Sequence, residues 1–437
     1  MKKICIVGTG YVGLPLAAGF ANVGNEVTCL DLDEAKITDL KNGKIPIYEP
    51  GLEDLIKRNQ KNFNFTTDVQ QSIQNNDIIF ICVGTPSCTD GSADLQYVLS
   101  VAESIGKYMN SCKIVVDKST VPIGTADLVE EAIKKQLLER KVHHNFHVVS
   151  NPEFMREGCA VEDVLHPDRV VIGTNDIPTG LTLKRLYEPF VLNGNPIIIT
   201  DVRSAEMIKY ASNCFLATKI SFINEMANIC EKVGANILEV RKGMAADHRI
   251  GDKFLYASIA WGGSCFGKDC NALLNISRNI SEESLIVNAT IQTNESRPKR
   301  FVDTMLSYLL PDQVTIWGTA FKPETDDIRD SASIKVIKLL LDHGIKVNVH
   351  DPMALENTKK IFGDNISYCE SQYESLLKSD CLLLCTEWSV YRMPNWGLMK
   401  KLMFQHYIFD GRNQYDLKTV QEQGFNYISI GREPIKI

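Results

Sequence analysis

No stretch of this 437-residue chain approaches the ~20 consecutive apolar residues that a bilayer-spanning helix needs. Its longest apolar runs, such as Ile78–Val83 and Leu382–Cys385, have the length of strands. There is no Cys-x-x-Cys pair, and thirteen cysteines is an odd number, so neither a disulfide framework nor a structural zinc site is implied. Positive charge is not in excess: 47 Lys and Arg stand against 54 Asp and Glu, for a net charge of −7. That balance favours solubility and argues against a general affinity for nucleic acid. Room for a signal peptide is also lacking, because Met1-Lys2-Lys3-Ile4 runs directly into a strand and a glycine loop. The cytoplasm is therefore the expected compartment, with no membrane partner. The rest of the composition, 44% hydrophobic and 23% charged, is that of a globular protein long enough for two or three domains.

What is present is a repeated α/β pattern. Short β-branched runs at Lys3–Val7, Glu26–Asp31, Asp77–Val83, Lys113–Val116, His147–Val149 and Val170–Ile172 alternate with helical stretches. Such alternation predicts a parallel, doubly wound sheet. From Ser204 to about Gly234 the chain has no Pro or Gly, and Ile208, Ala211, Phe215, Phe222, Ile223, Met226 and Cys230 recur at helical spacing. One long helix is expected there. A second α/β pattern begins near Val314, with strands expected at Val314–Trp317, Lys346–His350, Cys381–Cys385 and Tyr407–Phe409 and a helix at Ser331–His343. The expected architecture is two Rossmann-like doubly wound domains joined by a long central helix, with a ligand cleft between the halves.

Four groups of residues carry chemistry. Gly8-Thr9-Gly10-Tyr11-Val12-Gly13 follows the first strand and opens a helix, and Asp31 ends the second strand. Glycines there permit a tight turn and bring backbone amides to a pyrophosphate, while the acid accepts from ribose hydroxyls and would repel a 2′-phosphate. NAD is the expected cofactor. Lys36 could face the same phosphates, or be a solvated helix charge. Lys209 and Asn213, four apart, interrupt the apolar stripe of the long helix; they are either a satisfied buried pair or two donors poised to stabilise an oxyanion. Gly262-Gly263-Ser264-Cys265-Phe266-Gly267-Lys268-Asp269 places a cysteine in a glycine-rich turn before a helical stretch expected over Asp269–Ser277, where a helix N-terminus and a lysine favour the thiolate. Glu153 and Glu157 follow a strand end and could serve as base and water holder, or cap the next helix. The histidines of His143-His144-Asn145-Phe146-His147 lack carboxylate or thiolate partners at ligand spacing, so no metal is expected.

Together with Val83-Gly84-Thr85-Pro86, Lys118-Ser119-Thr120-Val121-Pro122, Asn151–Gly158, Glu206–Asn213, Arg249-Ile250-Gly251, Phe321-Lys322-Pro323, Asp327-Ile328-Arg329 and Asp410-Gly411-Arg412-Asn413, these motifs run the length of the chain. In this order and spacing they resemble the UDP-glucose 6-dehydrogenase family, within the wider group of nucleotide-sugar 6-dehydrogenases. The resemblance implies an NAD-binding domain over residues 1–203, a central helical dimerisation domain carrying the catalytic cysteine over 204–300, and a UDP-sugar-binding domain over 301–437. It implies a homodimer and a four-electron oxidation of UDP-glucose to UDP-glucuronate through a cysteine thioester. Cys265 is then the nucleophile, Lys209 and Asn213 stabilise charge on the sugar oxygen, Asp269 and Thr120 handle a proton or water, and Glu153 is the base in hydrolysis. NAD contacts are implied at Gly8, Gly10, Tyr11, Val12, Gly13, Asp31 and Lys36, and further at Thr85, Thr120, Glu157, Lys268 and Arg329. Substrate contacts are implied at Glu153, Phe154, Lys209, Asn213, Phe254 and Gly262, with Lys322, Arg412 and, from the neighbouring subunit, Arg249.

Two departures bear on the sugar. Ala260 stands where the family usually has glycine, and Gly267 where proline or glutamine is common. Another nucleotide sugar, a UDP-N-acetylhexosamine or GDP-mannose, is the alternative substrate, although a histidine before the cysteine, typical of the N-acetylhexosamine enzymes, is replaced here by Ser264. A two-electron hydroxyacid dehydrogenase would share the glycine motif and the Lys-x-x-x-Asn helix without needing Cys265. A catalytically silent nucleotide-sugar sensor would need none of these side chains.

Overall fold

The computed structural model describes residues 1–88, 90–191 and 194–437. They divide into two compact units: Met1–Ser212 with Asn271–Ile280, and Asn213–Cys270 with Ser281–Ile437. The first unit is built on eight strands: β1 (Lys3–Val7), β2 (Glu26–Leu30), β3 (Phe63–Thr66), β4 (Ile78–Ile81), β5 (Lys113–Asp117), β6 (Phe146–Ser150), β7 (Val170–Gly173) and β8 (Ile197–Thr200). They pair in the order β3-β2-β1-β4-β5-β6-β7-β8. β4, Ile-Ile-Phe-Ile, is buried at every position, as expected for a central strand covered by helices on both faces.

β1 lies between β2 and β4, so the chain leaves it in both directions across the sheet. The loops beyond the carboxyl ends of β1 and β4 therefore part, and this is where α/β sheets bind ligands. Gly8 occupies that point with φ +99°, and a Cβ there would lie 2.6 Å from the Cys82 carbonyl oxygen. Only glycine fits.

The second unit repeats the device with β9 (Gln313–Trp317), β10 (Lys346–His350), β11 (Ser367–Tyr368), β12 (Cys381–Leu384), β13 (Tyr407–Asp410) and β14 (Asn426–Ser429), in the order β11-β10-β9-β12-β13-β14. Gly318 follows β9 with φ +92°, packed so closely on Thr386 that a Cβ would collide with it. Asp351 follows β10 as Asp31 follows β2. Its Oδ2 accepts from the Thr319 and Ala320 amides (2.7 and 3.0 Å) and its Oδ1 from those of Met353 and Ala354 (2.9 and 2.8 Å).

A helix of 32 residues, Val202–Val233, runs unbroken through the division between the units. The expected strands are present to within one or two residues at their ends, and the expected long helix matches this one. Three features differ from expectation. The short strands β3, β8, β11 and β14 were not anticipated, since Phe63-Asn-Phe-Thr66 and Ser367-Tyr368 are too brief or too polar to stand out as apolar runs. β7 pairs antiparallel to β6 at Ser150 and Gly173, so the first sheet is not wholly parallel. The segment bearing Cys265 enters its helix, Phe266–Asn279, immediately after the cysteine rather than at Asp269. Among the described residues no helix is long and apolar enough to cross a membrane.

β5 ends on Asp117, which is 1% exposed. Neither carboxyl oxygen has a well-aligned hydrogen bond, and the neighbouring Ser119 amide donates to the Ile81 carbonyl instead. Burial, with the Glu206 carboxylate adding, pushes the Asp117 pKa well above the ordinary 3.8. A raised folded pKa contributes stability that is full below 3.8 and is lost as pH rises towards the folded value. Asp117→Asn removes that loss. Its stability advantage over the native chain should grow between pH 5 and 8, by up to about 1.4 kcal/mol per pH unit. Urea unfolding at several pH values measures it, and a difference independent of pH would contradict the assignment of a buried neutral carboxyl.

Candidate active site

In the first unit the carboxyl ends of β1, β2, β4 and β5 gather most of the residues expected to hold a dinucleotide. The Asp31 Oδ2 accepts from the Thr9 amide (3.0 Å) and hydroxyl (2.7 Å) and pairs with Lys36 Nζ (3.0 Å). Burial raises the Asp31 pKa, but those donors and the Asp33 amide outweigh it and hold the carboxyl below its ordinary value. Lys36 is thus the counter-ion of Asp31. Gly13 packs on the Gly8 carbonyl so tightly that a Cβ would collide, whereas a Cβ on Gly10 would meet nothing within 4 Å. That open face at the start of the helix Gly13–Asn22, which no side chain caps at Val12, suits the close approach of a pyrophosphate. Tyr11 and Val12 complete the turn. The Thr85 hydroxyl donates to the Thr120 carbonyl (2.8 Å), linking the loops after β4 and β5. The residues present fit an NAD.

After β6, the turn Asn151-Pro152 delivers Glu153, 4% exposed, onto Lys209 of the long helix. Lys209 Nζ donates to Glu153 Oε1 (2.6 Å) and to its carbonyl (2.7 Å), while Glu153 Oε2 accepts from the Met155 amide (2.8 Å). Burial raises the Glu153 pKa, but Lys209 and then Lys118 hold it below the ordinary carboxylate range. A buried pair of this kind costs roughly 3–5 kcal/mol to break from one side, because the partner is left uncompensated. Phe154 lies beneath the Arg169 guanidinium, 3.7 Å from ring centre, with Lys209 Nζ at 5.5 Å. The helix Ala160–Leu165 is capped by Glu49, which accepts from the Gly158 and Ala160 amides (2.8 and 2.6 Å). Half-buried Glu157 lies in the turn before it.

In the second unit Cys265 is partly exposed and directly precedes the first residue of the helix Phe266–Asn279. The Asp269 amide donates to the Cys265 carbonyl (2.9 Å), so the cysteine occupies the N-cap position and its side chain lies by the helix N-terminus. Ser264 Oγ is 3.6 Å from the Cys265 sulfur. Gly262 and Gly263 pack on the loop after β9: a Cβ on Gly262 would lie 2.5 Å from the Asp330 carbonyl oxygen, and one on Gly263, at φ +87°, would lie 2.7 Å from the Phe321 ring. The Gly263 amide donates to the Arg329 carbonyl (2.9 Å). Four residues after Cys265, Asp269 is 0% exposed and bracketed by Asn213 Nδ2 (2.6 Å) and Lys268 Nζ (2.7 Å).

The segment before the cysteine is pinned from behind. Asn294 exchanges hydrogen bonds with the Trp261 backbone (2.8 and 3.0 Å), Asn224 accepts from the Ser258 amide (2.7 Å), and buried Arg297 donates to the Ile259 and Ser258 carbonyls (3.2 and 2.8 Å). Phe254, at φ +61°, meets the edge of Phe266 at 6.2 Å. Arg412 reaches the Cys385 and Phe321 carbonyls (2.6 and 3.0 Å), and Lys322 Nζ lies 5.4 Å from the Phe321 ring centre. Arg329 forms a bidentate pair with Asp327. Arg249 stands apart: its side chain is 79% exposed, and Asp247 is its polar partner.

Sequence reading missed Lys118, which lies behind Glu153, and Glu206, whose carboxylate accepts from the Gly124 and Ala126 amides (2.6 and 3.2 Å) at the start of the helix Thr125–Arg140. Both stand inside motifs that carried the resemblance, but nothing in their spacing distinguishes a buried charge from a solvated one.

Residues 2–191 match the NAD binding domain of the UDP-glucose/GDP-mannose dehydrogenase family, residues 203–296 its central domain and residues 315–417 its UDP binding domain. The chain is 43% identical to the UDP-glucose 6-dehydrogenase TuaD of Bacillus subtilis over 441 aligned positions, covering 100% of this chain and 94% of that protein. It is 41% identical to a UDP-glucose 6-dehydrogenase of Pseudomonas aeruginosa, with 98% and 97% covered. The solved structure of a UDP-glucose dehydrogenase from Pyrobaculum islandicum superposes with a TM-score of 0.91 at 35% identity, covering 99% of this chain and 98% of that one.

Asp31→Ala should weaken NAD binding about tenfold or more, since it removes a charged acceptor of ribose hydroxyls and frees Lys36. Affinity for a uridine nucleotide sugar should not change. Calorimetric titration with each ligand separates the two, and an unchanged affinity for NAD would contradict the dinucleotide reading of this turn.

Proposed function

The chain belongs to the UDP-glucose/GDP-mannose dehydrogenase family, and on that premise we propose that it oxidises the C6 hydroxyl of UDP-glucose to the carboxylate of UDP-glucuronate, through a thioester on Cys265. The observation that carries this reading is the placement of Cys265 at the N-cap of the helix whose buried Asp269 is held by Asn213 and Lys268. A hydroxyacid dehydrogenase would need no such cysteine.

NAD, when bound, accepts the hydride from C6 at each of the two oxidations. Asp31 would hold its ribose and the Gly10–Gly13 turn its pyrophosphate, with Thr85, Thr120, Glu157, Lys268 and Arg329 as further contacts. Asp269 and Thr120 would take up or relay the hydroxyl proton in the first oxidation. The Cys265 thiolate then attacks the aldehyde carbon, and the resulting thiohemiacetal alkoxide is stabilised by Lys209 and Asn213, each worth roughly 3–4 kcal/mol when well aimed. Loss of a second hydride gives the thioester. Glu153, kept ionised by its neighbours, takes a proton from water as that water adds to the thioester, and Cys265 leaves as thiolate. Phe254, Gly262, Phe154, Lys322 and Arg412 would hold the sugar nucleotide.

A homodimer completes the reading. Phe215, Phe222 and Ile229 recur every seven residues along the long helix and are 65%, 46% and 49% exposed, an apolar stripe that a second copy would cover. Arg249, which is exposed and paired with Asp247 in its own chain, would serve a neighbouring subunit's substrate.

Cys265→Ser should retain binding of both ligands and lose steady-state turnover by at least roughly 10³-fold, yielding at most one slow NADH per sugar. Native protein should release two. Counting NADH per UDP-glucose in single-turnover and steady-state assays decides the matter, and two NADH per sugar at a near-native rate in the variant would exclude covalent catalysis.

A further inference from the structure

Lys118 follows β5 and is 6% exposed, yet its ammonium has only neutral hydrogen-bond partners. Its Nζ donates to Asn151 Oδ1 (3.2 Å) and to the Pro152 carbonyl (3.3 Å), the two residues before Glu153. Asn151 is fixed on its other sides: its Oδ1 accepts from Tyr187 OH (2.6 Å), its Nδ2 donates to the Val171 carbonyl (2.6 Å), and its amide donates to the Asp117 carbonyl (2.8 Å). Among the described residues no carboxylate comes within ion-pairing distance of Lys118. A buried ammonium so placed costs stability, offset only by its hydrogen bonds and by nearby opposite charge.

The groups that face it are Glu153 on the adjoining turn, Lys209 on the long helix, the Cys82 thiol after β4 and the Tyr187 phenol, whose ring centre is 5.8 Å away. Burial raises the pKa of both Cys82 and Tyr187, leaving them neutral. Burial also lowers the Lys118 pKa to about 8, Glu153 opposing the fall and Lys209 adding to it. Lys118 therefore attracts Glu153, which is also paired with Lys209 and interacts with Arg169. Lys118 borders a small pocket of about 50 Å³, lined also by Leu16, Pro152, Phe154, Arg169 and Tyr187, with Asp163 and Asp168.

We propose that Lys118 is a positioning residue for Glu153: it clamps the Asn151-Pro152 turn and supplies a second positive charge that keeps the Glu153 carboxylate ionised, from a place a small cation can enter. The proposal rests on Glu153 being the base in thioester hydrolysis.

The test compares native protein with Lys118→Met, Lys118→Arg and Lys118→Ala in steady-state turnover of UDP-glucose and NAD across pH, alongside thermal midpoints. Loss of the charge in Lys118→Met should move the acid limb of kcat upward by about one pH unit, so that activity is depressed about tenfold below the limb and recovers above it. Lys118→Arg should keep the native limb. Methylammonium chloride should restore the limb of Lys118→Ala towards the native position, and sodium chloride at equal ionic strength should not. A Lys118→Met profile that is uniformly lowered, or lowered only in thermal midpoint with the native limb, overturns the proposal in favour of a structural role. Absence of methylammonium rescue together with an unshifted limb does the same. Glu153→Gln separates the two readings: if it hydrolyses the thioester at the native rate, the base assignment falls first, whatever Lys118 does.

Discussion

The Asp269 carboxylate, removed completely from water, is the constraint around which the Cys265 turn is organised. A buried carboxylate needs donors on each oxygen, and here they come from Asn213 on the long helix and from the neighbouring Lys268. Those two bonds fix the first turn of the helix Phe266–Asn279. Cys265, bound to the Asp269 amide through its carbonyl, is fixed with it. The glycines before the cysteine let the chain press against Phe321 and Asp330 without side chains of their own, and Arg297 and Asn294 hold the strand of chain that leads in. The thiol is positioned by backbone, and the backbone by buried polar bonds that tolerate little movement.

The same economy appears in the first unit with the signs arranged differently. Glu153 is a buried carboxylate with two cations acting on it, Lys209 in contact and Lys118 behind the turn. The pair of Rossmann-like sheets shows how one device serves two ends. Asp31 and Asp351 both follow the second strand of their sheet and both accept from the glycine turn after the first. Asp351 is 2% exposed and committed to four backbone amides, with the Trp388 indole also bonded at 3.2 Å, so it locks its loop. Asp31 retains partial exposure, and its counter-ion Lys36 is 30% exposed. Gly10, with open space where a Cβ would stand, marks the same difference on the facing turn.

What could be read in the sequence was whatever depends on local chemistry. Glycines at Gly8, Gly13, Gly262 and Gly263 announce close backbone approach, and the structure puts a carbonyl or ring against each. The central strands β4 and β12 are uninterrupted apolar runs, and β1 and β9 are largely apolar and β-branched, so all four were legible as strands. Illegible features were those set by partners distant in sequence. Nothing in Ile197–Thr200 says it will extend the sheet from β7, and nothing near Val170 says β7 will run against β6. Lys118 and Glu206 look like any surface charge until the fold buries them, and the capping of Gly158 and Ala160 by Glu49 spans more than 100 residues. Lys209 and Asn213, seen as neighbours on one helix face, turn out to engage different carboxylates, Glu153 and Asp269.

The proposed chemistry requires a covalent bond between sugar C6 and the Cys265 sulfur. Native protein turning over UDP-glucose and NAD, quenched with acid within a turnover and digested, should show the peptide carrying Cys265 heavier by one UDP-sugar acyl group, with the mass shift localised to that cysteine by fragmentation. Continued formation of UDP-glucuronate with no adduct at Cys265 under any quench time, or with the adduct on another residue, would contradict it.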